Sequence, residues 1–308
     1  MRQADAELFN PAELREDQKN IRAFQDFDMD YNYDRRMKAI SALLPPETQR
    51  GIVLAREKGA SNWVTAMPSE EHGTILHKGD FIDAIYMRYG WPILSLPLQC
   101  ACGAPFSVQH SLDCLLGGFR TLQHNEVRDL FAECLREAHF HSVETEPLSG
   151  EVFELKSANK DDDARSDVKC LGFWRKMRQA YFDIKVVSPL ARSHLRKTPS
   201  RIYAEAEKSK MREYKARIIE VEHGDFTPLV FTTTGGMAPQ SDRAIKRLTQ
   251  ILAEKKELPS SVVAGWLRCR FSFALLRTSL ICLRGTRRKK LVIQSDIDLA
   301  VHEARIEY

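Results

Sequence analysis

The sequence predicts an α/β, or α+β, fold in which helices flank a mixed β-sheet. From residue 121 onward the expected order of elements is a helix, several strands, a helix, a strand and a helix, which is typical of helices layered on a sheet. Between Val127 and Ala138 apolar residues recur at i, i+3, i+4, i+7, i+8 and i+11, as on one face of a helix. The apolar run from Tyr181 to Val187 predicts a strand.

The other elements follow from the same patterns. Strands are predicted at residues 142–146, 152–155, 166–170, 181–187 and 228–233. Helices are predicted at residues 35–44, 78–89, 201–222 and 242–256, and a basic amphipathic helix at residues 261–282. We therefore divide the chain into a helical N-terminal region (1–96), a compact loop-like segment (97–118), an α/β domain (119–258) and a basic helical tail (259–308).

Composition gives only broad limits on function. Charged residues make up 29% and hydrophobic residues 43% of the 308 residues, which is an ordinary globular balance. The net charge of +4 implies no particular partner, but residues 192–217 and 265–290 are locally basic. Two such segments indicate a polyanion footprint or, equally well, a pair of solvated helix faces.

The segments needed for export or membrane insertion are not visible in the sequence. The first residues have no apolar signal-peptide core, and the longest apolar run, residues 271–283, is interrupted by Arg277. We therefore expect a protein that is neither secreted nor embedded in a membrane. Seven cysteines in a reducing compartment are expected to be free thiols, and closely spaced ones then indicate metal ligands.

One closely spaced set is C-x1-C-x7-H-x3-C, formed by Cys100, Cys102, His110 and Cys114. Three thiolates and one imidazole are a tetrahedral zinc set, and four protein ligands leave no open position, so we expect a structural site. In so short a segment the metal is expected to supply the folding free energy. The alternative is a chance grouping, because one intervening residue between the first two cysteines is tighter than the usual finger spacing.

A second constellation is acidic. Asp183 and Lys185 alternate with apolar residues in the strand 181–187, so both are expected on one face of the sheet. Asp167 lies upstream on a strand that can fold back against them through a turn containing Gly172. Two carboxylates on neighbouring strands with a lysine beside them predict a site for Mg²⁺ and a phosphate. The alternative is a structural ion pair at a sheet edge.

Glu126 is a candidate additional carboxylate for that site. It follows His124 and Asn125 near the start of the helix predicted around Val127. Taken alone, Glu126 is better explained as an acidic side chain that interacts with the positive end of the helix dipole.

Taken together, these motifs resemble the restriction-enzyme-like endonuclease of early-branching non-LTR retrotransposons, a member of the PD-(D/E)XK superfamily at the C-terminal end of a reverse-transcriptase protein. The resemblance covers about residues 60–285. The four Cys and His residues match the CCHC knuckle of that family, His124-Asn125 matches its basic-His-Asn block, and Asp167, Asp183 and Lys185 match its acids and lysine.

The resemblance implies a restriction-endonuclease-like core and a Mg²⁺-dependent DNA endonuclease that nicks target DNA for insertion. Asp167 and Asp183 would hold Mg²⁺, Lys185 would assist the attacking water, Glu126 would support them, and the knuckle would hold a structural Zn²⁺. DNA is the implied partner, with element RNA as a second one and the nucleus as the expected location, otherwise the cytoplasm. The nucleic-acid contacts would come from His124, Asn125, Arg268, Arg270, Arg287 and Arg288.

Three departures from the family pattern bear on activity. Gln123 stands where the family has Arg or Lys, and Ser166 stands where a proline precedes the first acid. This chain also has no reverse-transcriptase signature such as a Tyr-x-Asp-Asp turn. The alternative function is therefore a catalytically inactive nucleic-acid-binding relic or a host-retained fragment of such an element. A further alternative is a helical interaction protein without zinc or DNA affinity.

Overall fold

The computed structural model describes residues 32–146, 166–216, 218–219 and 222–285. The chain divides into two units, residues 1–50 and 51–308. In the first unit residues 32–43 are helical, close to the helix predicted at 35–44. After this helix the Gln49 side-chain amide donates a hydrogen bond to the Leu44 carbonyl oxygen at 2.8 Å.

The described residues combine helices with a small mixed sheet, so the predicted α+β class is confirmed. The helices are α1 (Pro46–Ala55), α2 (Asn62–Thr65), α3 (Lys78–Tyr89), α4 (Val108–Asp113), α5 (Phe119–Glu137), α6 (Pro199–Ala216), α7 (Pro239–Lys256) and α8 (Ser260–Arg284). The strands are β1 (Glu144–Thr145), β2 (Val168–Leu171), β3 (Gln179–Val187) and β4 (Asp225–Thr232). The strand predicted at 152–155 lies outside the described residues.

The sheet has the order β1-β2-β3-β4. β1 pairs with β2 and β2 with β3 in antiparallel fashion, whereas β3 and β4 are parallel. A parallel pair requires a crossover connection, which α6 provides. The β2–β3 pair is the predicted hairpin, with Val168 opposite Phe182 and Leu171 opposite Gln179.

The two faces of β3 contact different helices because side chains alternate along a strand. Ala180, Phe182 and Ile184 lie in the main core with residues of α5, α7 and α8. The other face of the sheet packs on α6, where Val187 of β3 contacts Ile202 and Tyr203. Asp183 belongs to this second face, and α6 therefore covers it.

Helix α8 is the central helix of the second unit. Val263, Leu267, Phe271 and Leu275 recur every four residues and lie in the main core. Phe273, Leu276 and Leu280 contact Trp63, while Cys282 contacts Leu112 and Phe119. The sequence prediction placed this segment in a basic helical tail outside the α/β domain, but residues 260–284 are packed within the core. A helix that is buried on several sides has no single polar face. The basic residues between its apolar ones therefore do not indicate an exposed tail.

Candidate functional site

The predicted knuckle is a tight turn followed by a short helix. Within the turn the Cys100 amide donates to the Ala104 carbonyl at 2.9 Å, and the Gly103 amide donates to the Cys100 carbonyl at 2.8 Å. Gly103 has a φ of 91°, a conformation that glycine adopts without strain. Ser107 then caps α4 by accepting a hydrogen bond from the His110 amide at 3.0 Å. This turn and cap direct the ligands toward one another.

The four predicted ligands converge in space. Their ligand atoms lie within 4.8 Å of one another, and the sulfurs of Cys100 and Cys114 are 3.9 Å apart. A zinc–sulfur bond of about 2.3 Å in tetrahedral geometry places two sulfurs about 3.8 Å apart, close to the observed separation. The Cys102 sulfur lies 3.3 Å from His110 Nε2. The Cys-Cys-His-Cys cluster can therefore bind a metal ion such as zinc.

The knuckle is also attached to the core through apolar contacts. Leu112, on α4 between two of the ligands, is 2% exposed and packs with Phe119 and Cys282. From the sequence, the metal was expected to supply the folding free energy of this segment. Burial of a leucine side chain adds roughly 2 kcal/mol, so α4 has a second source of stability.

The acidic pair lies at the open end of the β2–β3 hairpin, opposite its turn. Asp167 directly precedes Val168, whose partner is Phe182, so Asp167 is next to Asp183 on the neighbouring strand. One carboxylate oxygen of Asp167 accepts a hydrogen bond from the Ile184 backbone amide. The other lies 2.9 Å from His124 Nε2 on α5. The hairpin therefore brings the two predicted acids together.

Asp183 is buried, with 2% of its surface exposed. Its Oδ1 accepts a hydrogen bond from Lys210 of α6 at 3.2 Å. Oδ2 lies 3.0 Å from the same amine but makes no hydrogen bond with suitable geometry. Burial and the negative charge of Asp167 raise the pKa of Asp183 to about 6, and the attraction of Lys210 offsets only part of this rise.

His124 and Lys210 are the cationic partners of the pair. Burial lowers the pKa of His124, but the hydrogen bond to Asp167 and the negative charges of Asp167 and Asp183 together outweigh this effect, and the net shift is upward. Burial also opposes the charge on Lys210, and the neighbouring Asp183 again makes the net pKa shift upward. Each predicted acid is therefore accompanied by a positively charged or readily protonated side chain.

Lys185 and Glu126 are also predicted site residues, but neither takes part in the contacts just described. Lys185 is half-buried two residues after Asp183, and no described carboxylate lies within ion-pair distance of it. Glu126 is exposed on α5. It lies two residues after His124, about 200° around the helix, so the two side chains point to nearly opposite sides.

The residues around His124 differ in their surroundings. Asn125 is half-buried. Gln123 is buried, with 2% of its surface exposed. Its side-chain amide donates to the hydroxyls of Thr278 at 3.2 Å and Ser279 at 3.0 Å. Gln123 is therefore a polar link between α5 and α8.

The arginines of residues 259–308 that are predicted to contact nucleic acid differ in their surroundings. Arg270 is engaged with Glu133 and Glu137, at 2.7 Å in each case, and lies over the Trp266 ring. Arg268 is half-buried on the same helix. Arg287 and Arg288 lie outside the described residues.

Lys210 and Tyr214 were not named as site residues by the sequence analysis. They are one helical turn apart on α6, and the Lys210 amine lies 5.1 Å from the centre of the Tyr214 ring. Burial and the nearby charge of Asp183 raise the pKa of Tyr214. Tyr214 belongs to the apolar face that the sequence predicts for this helix. The pattern identifies that face as buried but does not show which strand the helix covers.

Among the described residues, the Cys-Cys-His-Cys cluster is the one group of three or more converging Cys, His, Asp or Glu side chains. In the same part of the chain, no helix has the length and hydrophobicity to cross a membrane. Neither a comparison with known protein families nor one with curated proteins finds a match to this chain.

Proposed function

We propose that this protein is a Mg²⁺-dependent DNA endonuclease that nicks target DNA, as its resemblance to retrotransposon endonucleases implies. The observation that supports this most strongly is the position of Asp167 beside Asp183 across the β2–β3 hairpin, with an amine within 3.2 Å of Asp183. Carboxylates on adjacent strands with an amine beside them are suited to holding a cation and a phosphodiester.

The donor atoms fit a hard cation. Asp183 has a buried carboxylate oxygen without a hydrogen bond, next to a second negative charge on Asp167. This oxygen pairs with the Lys210 amine 3.0 Å away, and a cation held by the two acids would take the place of that amine. Magnesium in proteins is commonly held by one or two carboxylates, with water and substrate phosphates completing its coordination. Two acids are therefore a sufficient protein contribution.

Each side chain has a defined task in this proposal. Asp167 and Asp183 hold the cation, and the hydrogen bond from the Ile184 amide fixes the orientation of Asp167. Lys210, which pairs with Asp183, and Lys185 would pair with the negative oxygens of the scissile phosphate. His124 would hold the second oxygen of Asp167 in place through its 2.9 Å contact. When bound, magnesium lowers the pKa of a coordinated water and offsets charge developing on the phosphate.

The knuckle has a different part in the same proposal. Its thiolate-rich set suits zinc, and four protein ligands leave no site for a substrate. We assign it a structural Zn²⁺ that holds α4 for contact with DNA or element RNA. A nuclear location follows from the resemblance alone.

A nicking assay tests the proposal. Supercoiled plasmid with Mg²⁺ is expected to be converted to the open circle by the wild-type protein, and at least about a hundredfold more slowly by Asp183→Asn, because several kcal/mol of transition-state stabilisation are lost. Glu254→Gln makes the same chemical change on an exposed acid of α7 and is expected to nick normally. Equal rates for wild type and Asp183→Asn would refute the site.

A second candidate function is a nucleic-acid-binding protein without catalysis. The contacts of His124 with Asp167 and of Lys210 with Asp183 favour it, since both acids already have cationic partners. It predicts salt-dependent DNA binding with no nicking at any Mg²⁺ concentration. Nicking abolished by Asp183→Asn would eliminate it.

A further inference from the structure

The turn between β2 and β3, residues 172–178, is a firmly held loop outside the acidic site. Phe173 is fully buried against Phe182, and the Trp174 indole donates a hydrogen bond to Thr227 at 2.9 Å. At the other end Arg178 donates to the Gly224 carbonyl at 3.1 Å. Anchored on both sides, the turn presents its tip in a fixed orientation.

The tip itself is basic and exposed. Arg175 and Lys176 are exposed, and no carboxylate of the described residues lies within ion-pair distance of them. Met177 is 87% exposed and has a φ of 58°, a left-handed conformation that is uncommon for a side chain other than glycine. An apolar side chain therefore projects to solvent beside two unneutralised cations.

Helix α7 extends this positive surface. Arg243 stacks over the Trp174 ring with its guanidinium carbon 5.1 Å from the ring centre, and Arg247 donates to the Phe173 carbonyl at 3.4 Å. Both are exposed. Two acids at the starts of β4 and α7 are paired with other cations, Asp225 with Arg178 and Asp242 with Lys58. We call Arg175, Lys176, Arg243 and Arg247 the tip surface.

We propose that the tip surface binds the phosphate backbone of duplex DNA, with Met177 inserted toward the bases. A rigid, preorganised set of cations flanking one protruding apolar side chain matches how proteins grip phosphates and wedge against base steps. Gln179, the first residue of β3 after the turn, lies four residues from Asp183, about 13 Å along the strand, which corresponds to about four base pairs. The inference rests on the proposed function, because it takes DNA as the partner.

The test measures binding of the full chain to a fluorescent DNA duplex by anisotropy at several salt concentrations. Arg175→Ala/Lys176→Ala is expected to reduce the slope of log affinity against log salt by about 2, because each phosphate contact contributes about 0.9. Arg36→Ala/Lys38→Ala removes two exposed basic side chains from the first unit and is expected to leave the slope unchanged. Met177→Ala is expected to reduce bending of an end-labelled duplex, measured by energy transfer.

The outcomes separate this inference from the proposed function. An unchanged salt slope for Arg175→Ala/Lys176→Ala, with wild-type nicking intact, would overturn the tip surface alone and point to a different partner, such as an acidic protein. A reduced slope together with equal nicking by wild type and Asp183→Asn would support the tip surface and refute the catalytic site. No binding of wild-type protein to the duplex would overturn both.

Discussion

The knuckle and the acidic pair are assembled over very different distances along the chain. The knuckle draws all four ligands from residues 100–114, and its geometry is set by one turn and one helix cap. The acidic pair requires a β-hairpin, a helix that precedes it and a helix that follows it, because His124 and Lys210 come from α5 and α6.

The two regions also differ in how their charges are balanced. The thiols and imidazole of the knuckle face one another, so a metal ion would be their common partner. Asp167 and Asp183 instead have partners from the protein itself. This contrast predicts that the knuckle gains order from a metal ion, whereas the acidic pair is ordered by protein contacts, and a metal ion bound there would have to replace a protein cation.

The largest expected effect is at the knuckle. Cys114→Ser replaces a buried thiolate ligand, and bound zinc is expected to fall from about one per chain to near zero, since tetrahedral sites need all four ligands. Hydrogen exchange is expected to increase within residues 97–118, while the core strands stay protected. Zinc content is measured by atomic emission.

Cys269→Ser is the matched control, because this half-buried cysteine lies outside the cluster. It is expected to retain zinc. Retention of one zinc per chain by Cys114→Ser would contradict the assignment of the ligands.

A smaller effect is expected for the pH dependence of stability at the acidic pair. The pKa of Asp183 is raised to about 6 in the folded protein, so its contribution to stability is greatest at low pH and is lost as the pH rises through 6. Asp183→Asn removes this titration. Its free energy of unfolding relative to wild type is therefore expected to increase by about 1 kcal/mol between pH 5 and pH 8, measured by urea denaturation.

Glu254→Gln serves as the control for that titration and is expected to differ from wild type by the same amount at both pH values. A constant difference between Asp183→Asn and wild type would mean that Asp183 is not perturbed, and would remove one support for a buried acidic site.

The smallest effect concerns the proton on His124. Its pKa is raised because the hydrogen bond and charge of Asp167, together with the charge of Asp183, outweigh burial, so Asp167→Asn is expected to lower it. The titration is followed by the histidine ring signals in NMR spectra. Glu254→Gln is expected to leave it unchanged, and an unchanged His124 titration in Asp167→Asn would contradict the contact.

Local spacing predicted some features of the molecule well. Alternation along β3 and the turn at Gly172 were sufficient to predict that Asp167 and Asp183 lie side by side. The C-x1-C-x7-H-x3-C spacing predicted the convergence of the knuckle ligands. Both arrangements depend on contacts between residues close in sequence, where turn chemistry and strand period are informative.

The remaining features depend on long-range packing. Lys210 contacts Asp183 only because the β3–β4 crossover places α6 over that face of the sheet, and the register of a crossover helix is not visible in a periodic pattern. On the sequence alone Gln123 is only a departure from the Arg or Lys of the family pattern, whereas its hydrogen bonds to α8 make it a buried link in the core. Such pairings are set by the tertiary arrangement.

The most direct measurement is single-turnover nicking by zinc-loaded protein under conditions that saturate the DNA. Zinc loading and full binding exclude the knuckle and DNA affinity as causes of any difference, so a change in the rate reflects the change at the acidic pair. The account predicts that Asp183→Asn nicks at least about a hundredfold more slowly than wild type and Glu254→Gln. Equal nicking rates for Asp183→Asn and wild type, each loaded with zinc and bound to DNA, would contradict it.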